Sequence, residues 1–503
     1  MHYSNTYTRK LVEQYREISL LNKTKALLDW DLNVNLPSKA SEARAAQMAQ
    51  LTALTTDRWL DTKFRLLLEK VNEQKDKLND HEKAMMRNLN WSAKYYYHVP
   101  KELIVEFSKT TSEAFMAWQQ AKKDNNFKLF LPHLSKVIKL DQLVAQHLGF
   151  TDNPYDALLD QFEQGLTTRQ CKTMFDHVRR ELKKLLTYIQ KSKYYRESLD
   201  LVGEKHHYSL KRQRQLSQFA LKKMGYDLDA GHFSESPHPF TMNIHRLDVR
   251  ITTWYDRHDP RPSLMATIHE AGHALYEQGI SEEYDVTPLD SGVSLGIHES
   301  QSRFWENQVG RNPVFLYFLT PVLQAFFPEQ LADVHEEEIT RLFNLVQPSL
   351  TRVEADEVTY NLHVALRFEL EEALINNKIK PNDLSEIWKV KMKEYIGVVP
   401  TTDREGVLQD VHWSYGVFGY FPTYTLGNLY AAQFTRTMKK ELPLDELLRR
   451  GDLGTVLSWL RENIYQYGSL YWPDELVQRV TGEKLNASYL IDYLNHKYRA
   501  IYT

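Results

Sequence analysis

Apolar residues recur at three- and four-residue spacings over most of the chain, the period of a helix with one face turned inward. The pattern predicts helices over 8–30 and 41–56, broken at 33–37 by Asn and Pro, then near 60–73, 80–95, 102–123, 134–148, 167–192 and 208–224. It resumes over 300–309, 328–345, 350–376 and 383–395; 397–428 is less regular and rich in Gly, Pro and aromatics, and helices close the chain. The charged run at 69–83 reads as a solvated helix face with its turn rather than a disordered linker. One region changes period. In 238–256, Phe240, Met242 and Ile244, then Val249, Ile251 and Thr253, alternate with other residues and predict a strand or hairpin. Helix returns after Asp259-Pro260, where Asp259 can cap and Pro260 suits the first turn, and Gly279 suits its stop.

Composition supports a mainly helical chain. Glycine (19) and proline (18) are sparse for 503 residues, together about 7% against a usual share of roughly 12%. No Gly/Ser linker, low-complexity tract or repeat divides the sequence. The net charge of −3 argues against nucleic acid as the main partner. A single cysteine, Cys171, excludes an intrachain disulfide and suits a reducing compartment. The first residues lack an apolar signal core. The greasiest stretch, Val314 to Phe327, is too short and too broken by Thr320, Pro321 and Gln324 to span a bilayer. These features predict a cytoplasmic protein with no membrane partner.

The chemistry concentrates at His269-Glu270-Ala271-Gly272-His273. On a helix, His269 and His273 share one face a turn apart, so both imidazoles reach one cation, and Glu270 sits beside it without ligating. Small Ala271 and Gly272 permit close approach of other groups. A catalytic zinc takes three protein ligands and keeps one position for water. Glu299, 26 residues beyond His273 at the start of a second helix, is the leading third ligand; His298 and Glu306 compete with it. A zinc ion brings the pKa of bound water from 15.7 to about 7, making hydroxide available at neutral pH. Glu270 would then act as general base and afterwards as general acid.

Further blocks stand in order: HPF at 238–240; Asp248, Arg250 and Thr252 as D-x-R-x-T; HES at 298–300; Arg352, Ala355 and Asp356 as R-x-x-A-D; and G-x-x-Q-D-x-H-W at 406–413. With the pentad, and with Trp30-Asp31, Pro37, Arg44, Gln47 and YDALLDQFEQG at 155–165, the chain resembles the M32 metallocarboxypeptidases over nearly its full length. Val34 and Leu36 depart from the family's usual Thr and Met. The resemblance implies a large, mainly helical metallopeptidase with a deep active-site groove (neurolysin-like) and a small sheet near 238–256. It implies one catalytic domain over 1–503, with 1–235 mostly helical and 236–503 carrying the metal site. It implies a homodimer that releases single C-terminal residues from peptides with broad tolerance. His269, His273 and Glu299 would be the ligands, of Zn²⁺ or of Co²⁺, and Glu270 the base.

Removing one terminal residue requires a grip on the terminal carboxylate, and a guanidinium provides a permanent, bidentate one. Arg352 is the leading anchor on the family pattern; composition alone would make it an i,i+4 partner of Asp356. Arg250 is the second candidate, although Asp248 and Arg250 share a strand face and form an equally good structural pair. A tetrahedral intermediate needs hydrogen-bond donors. His412 and Tyr424 are the leading ones, with Tyr420 as a substrate contact and Tyr415 also in the segment. Gln409 and Asp410 are candidates to orient a ligand histidine. An endo-oligopeptidase with the same metal centre, and a helical scaffold with a structural metal, are the alternatives; the latter lacks a fourth ligand, since Cys171 is remote.

Overall fold

A computed structural model describes residues 2–200 and 206–503. Helices carry most of it and one three-stranded sheet interrupts them. The contacts of the described residues form two compact units, each assembled from three stretches: Met1–Tyr97, Lys205–Thr340 and Gln433–Leu485 in the first, His98–Glu204, Arg341–Ala432 and Asn486–Thr503 in the second.

In the first unit the sheet consists of β1 (Gly231–Glu235), β2 (Thr241–His245) and β3 (Asp248–Thr253). β3 is central, parallel to β1 and antiparallel to β2, with Thr241 opposite Ile251. β2 and β3 are the hairpin foreseen in 238–256. β1 is not foreseen, because its five residues run into a Ser- and Pro-rich turn that hides their alternation. Gly231 is required there: a Cβ would meet the Val249 carbonyl and the Tyr226 hydroxyl. The inner face of β3 buries Val249, Ile251 and Thr253. Thr253 Oγ1 donates to the Ser263 carbonyl (3.2 Å) and accepts from Thr267 Oγ1 (3.1 Å), which fixes the sheet against the following helix.

That helix, Arg261–Gln278, carries the pentad. Asp259 accepts the Arg261 N–H (2.9 Å), so it caps as expected, and Pro260 stands one position before the helix. Leu264, Met265, Ile268, Ala271, Ala274 and Leu275 are all buried, so the helix is enclosed around its circumference. A second helix, Leu295–Arg303, starts at Ser294, whose side chain accepts the Ile297 N–H. The segment read as helix over 300–309 then widens into a π-helical turn, Phe304–Gly310, buried throughout. The stretch at Val314 to Phe327 is helix Pro313–Phe326, and no helix among the described residues is long and apolar enough to cross a membrane.

In the second unit, helix Glu357–Ile375 is almost wholly buried. The expected helix over 350–376 begins later than its periodicity implies. Asp356 accepts the N–H groups of Val358 and Thr359 (2.9 and 3.0 Å) and starts the helix there. Arg352 is left in a short 3₁₀ turn, Arg352–Glu354, outside the regular helix. Residues 397–420 form no long helix, and helix Phe421–Glu441 follows.

Candidate metal centre and a buried guanidinium cluster

His269 and His273 project their Nε2 atoms towards the same oxygen of Glu299: His269 Nε2 lies 3.7 Å from Oε2, His273 Nε2 3.4 Å. Three donors at about 2.0–2.1 Å from a tetrahedral ion stand about 3.3 Å apart, so this set fits a small divalent cation. It is the one His/Cys/Asp/Glu group of that kind among the described residues.

Packing explains the convergence. A Cβ on Gly272 would stand 2.7 Å from the Gln301 carbonyl oxygen and the Ser302 Cα. Only glycine lets the backbone carrying Glu299 approach the pentad helix this closely.

The competing ligand candidates lie one layer out. Glu306 Oε2 is 2.9 Å from His269 Nδ1, and His298 Nδ1 is 2.6 Å from His273 Nδ1. His298 Nε2 continues to Glu277 Oε1 at 2.7 Å, and Glu277 in turn accepts from Asn243 Nδ2 (2.5 Å). With Nε2 reserved for a cation, each ligand histidine donates its Nδ1–H outward, which fixes its tautomer and ring plane. Arg303 joins the two carboxylates: Nε donates to Glu299 Oε1 (2.7 Å) and Nη1 to Glu306 Oε2 (3.1 Å). Arg311 adds a bond to Glu306 Oε1 (3.1 Å). The groups that face the two Nδ1 atoms are Glu306 and His298, the latter backed by Glu277; Gln409 and Asp410, expected to orient a ligand histidine, accept from Arg352 and Arg367 in the second unit.

Electrostatics distinguishes the four groups. Burial disfavours the charge on Glu299, but Arg303 and the two imidazoles hold it well below the usual carboxylate range. Burial pushes His273 down to about 3, leaving a neutral ring with a lone pair. Burial also lowers His269, yet Glu299 and Glu306 outweigh it and raise its pKa, so proton and cation compete for this ring. Glu270 is buried beside them without joining the donor set. Burial raises its pKa, against His269 and the Thr241 hydroxyl, which donates to Oε2 at 2.6 Å.

Thr241 has no signal of its own in the sequence, but its neighbours do. Thr252 Oγ1 of D-x-R-x-T accepts the Phe240 N–H of HPF (3.0 Å), and the Phe240 ring packs on Trp30 at 5.4 Å. Both blocks thus fix the strand start that supplies Thr241. Arg250 forms a bidentate pair with Asp248, Nε to Oδ1 at 2.7 Å and Nη2 to Oδ2 at 2.9 Å, with its guanidinium 5.7 Å from the Trp30 ring centre.

In the second unit, Arg352, His412, Tyr420 and Tyr424 come together. Arg352 is 5% exposed; its guanidinium lies 4.6 Å from the Tyr424 ring centre and Nη1 donates to the Tyr360 hydroxyl (3.0 Å). His412 Nε2 is 3.1 Å from the Tyr424 hydroxyl, and Tyr420 packs on the His412 ring at 5.4 Å. Burial and the Arg352 charge push His412 down to about 3, so it is neutral. Tyr415 stacks on Phe115 at 5.1 Å instead. The i,i+4 pair of Arg352 with Asp356 does not form, because Asp356 caps the next helix. Arg352 pairs with Asp410, Nε and Nη2 lying 3.1 and 3.0 Å from Oδ1.

The profile of the Carboxypeptidase Taq (M32) metallopeptidase family matches residues 10–498. The chain belongs to this family. It is 41% identical to thermostable carboxypeptidase 1 of Thermus thermophilus over 98% of each chain, and 39% identical to thermostable carboxypeptidase 1 of Pyrococcus furiosus over 99% of each. The solved Pyrococcus furiosus carboxypeptidase superposes with a TM-score of 0.93 at 38% identity, covering 98% of this chain and 99% of that one. This M32 enzyme is a metallocarboxypeptidase with the large helical fold of its relatives, and their names give no support to the endo-oligopeptidase alternative.

Proposed function

We propose that this M32 carboxypeptidase releases single residues from the C-termini of peptides with broad side-chain tolerance, and that its working cation, Zn²⁺ or Co²⁺, is held by His269, His273 and Glu299. The observation that carries the reading is the convergence of the two Nε2 atoms on Glu299 Oε2, with Glu270 buried beside them. Two imidazoles and one carboxylate suit either metal. When bound, the cation supplies Lewis acidity that makes water nucleophilic at neutral pH and polarises the scissile carbonyl.

The chain's own residues do the rest. Glu270 accepts the proton of the attacking water and passes it to the leaving amine, and its raised pKa suits both transfers. Thr241 holds that carboxylate in place from Oε2. Arg352 pairs with the terminal carboxylate of the peptide, because a guanidinium keeps its charge and offers two parallel N–H groups. Neutral His412 and Tyr424 supply hydrogen bonds to the reacting carbonyl, and Tyr420 lines the substrate. The bidentate pairing of Arg250 with Asp248 makes it the weaker candidate for the anchor. The whole chain acts as one catalytic domain, as a homodimer in the cytoplasm.

Mass spectrometry of a defined peptide incubated with metal-loaded enzyme tests the reading. A ladder shortened from the C-terminus, abolished by chelator and by C-terminal amidation, is expected. Internal cleavage, or an amidated peptide cut at the free-acid rate, would overturn it.

A further inference from the structure

Arg352 does not have Asp410 to itself. Arg367, fully buried on helix Glu357–Ile375, donates from Nε to Asp410 Oδ2 at 2.7 Å, with Nη2 2.6 Å from the same oxygen. Each guanidinium takes one carboxylate oxygen, and Arg367 sits closer. Arg367 is held on every side: Nη1 donates to the His363 carbonyl (2.7 Å), Nη2 to Gln409 Oε1 (2.6 Å), and the guanidinium lies 4.7 Å from the Trp388 ring centre and 5.5 Å from that of Phe421. It has no exposed edge to offer a substrate. Arg352 is different. Its contacts to Asp410 and Tyr360 leave one N–H on each terminal nitrogen, the pair a carboxylate accepts bidentately.

The charges do not balance. Two guanidinium groups share one carboxylate, and burial keeps both neighbouring histidines, His363 and His412, neutral. Lys122 adds a cation nearby, its ammonium on the Gln409 carbonyl at 2.9 Å. The next carboxylate, Glu371, is occupied by Tyr155, Trp413 and the Gly419 N–H. A buried charge without a partner is costly, so such a cluster favours any ligand that brings a carboxylate.

We infer that Arg367 is a positioning residue for the peptide C-terminus: by holding Oδ2 it limits Asp410 to a single oxygen on Arg352, and the substrate carboxylate takes the remaining N–H groups of Arg352 and supplies the second anion of the cluster. This rests on the reading of Arg352 as the anchor and names what tunes it. Without Arg367, Asp410 and Arg352 form a balanced pair and the site loses its demand for an anion.

Steady-state kinetics of the metal-loaded enzyme on an N-blocked peptide with a free C-terminus test this, with thermal melting as the check on folding. R367Q is expected to raise KM about tenfold, the effect of about one charge-assisted contact, with kcat within about twofold. R367K retains the charge and should keep KM within about threefold of wild type. R352M should raise KM at least as much as R367Q. If R352M raises KM while R367Q leaves it unchanged, or if R367K is as impaired as R367Q, the role given to Arg367 is overturned and the anchor stands. If R352M leaves KM unchanged, both fall. Should R367Q fail to fold, R367K decides alone: a KM near wild type supports the inference, and a tenfold rise overturns it.

Discussion

At the scale of single residues, the metal centre separates holding from reacting. Glu270→Gln removes the proposed proton acceptor and leaves His269, His273 and Glu299 untouched. Metal content should stay at the wild-type level while kcat falls by about 10²–10⁴-fold, the usual worth of a positioned general base. Elemental analysis alongside peptide hydrolysis checks both halves; near wild-type turnover would remove Glu270 from its role. Glu306→Gln probes the layer outside. It leaves the donor set intact but takes away the anion facing His269 Nδ1 and the Arg303 and Arg311 guanidinium groups. Metal affinity should drop by about 10–100-fold, as is usual for a partner of a ligand histidine. Calorimetric titration of the apo-protein reads it directly, and an unchanged affinity would mean that Glu306 serves only the two arginines.

At the scale of elements, the ligand set depends on how closely two backbones approach. The pentad helix and the helix bearing Glu299 meet at Gly272, where one methyl group would clash with the Gln301 carbonyl and Ser302. Gly272→Ala should therefore cost about 1–3 kcal/mol of stability through overpacking, although alanine is the better helix former. It should also weaken metal binding, because Glu299 moves away with its helix. Urea unfolding and metal titration of the same sample test the two effects. A more stable variant with native affinity would show that propensity outweighs the contact. The helix starts follow the same local rules: Ser294 and Asp356 each set a boundary by accepting backbone N–H groups, and the second of these keeps Arg352 out of a helix and free to meet Asp410.

At the scale of the whole molecule, the buried histidines of the second unit set a pH limit on stability. His363 is fully buried and its pKa is pushed well below the ordinary value by burial, with Arg367 and Arg352 adding to the effect. The unfolded chain takes up that proton near pH 6.5 and the folded chain does not. The contribution is therefore complete above about pH 6.5 and is lost as pH falls, by about 1.4 kcal/mol per pH unit. His363→Gln should flatten the decline in unfolding free energy between pH 6.5 and 5 by about that slope. Parallel lines for the two proteins over this range would show that His363 is not the titrating group. The buried guanidinium cluster adds to the effect of burial at His363 by opposing a further positive charge there.

The sequence by itself determined the helical period, the hairpin, the pentad with Glu299 as its leading third ligand, and the family. These are properties of spacing along one helix or one strand, or of blocks in fixed order, and need no knowledge of what packs against what. It even carried the reason for Gly272, though not the atoms that demand it. Only the tertiary structure decided which neighbour serves which. Glu306 and His298 look like rival ligands in one dimension, yet both face the Nδ1 side of the imidazoles, His298 from the helix Leu295–Arg303 and Glu306 from the π-helical turn that follows it. Thr241, Arg303 and Arg367 left no readable mark, since a lone threonine or arginine acquires its role from partners distant in sequence. Arg352 met Asp410 rather than Asp356 for the same reason: a pairing across 58 positions is set by folding, and periodicity reports only the faces that meet, not the groups that meet on them.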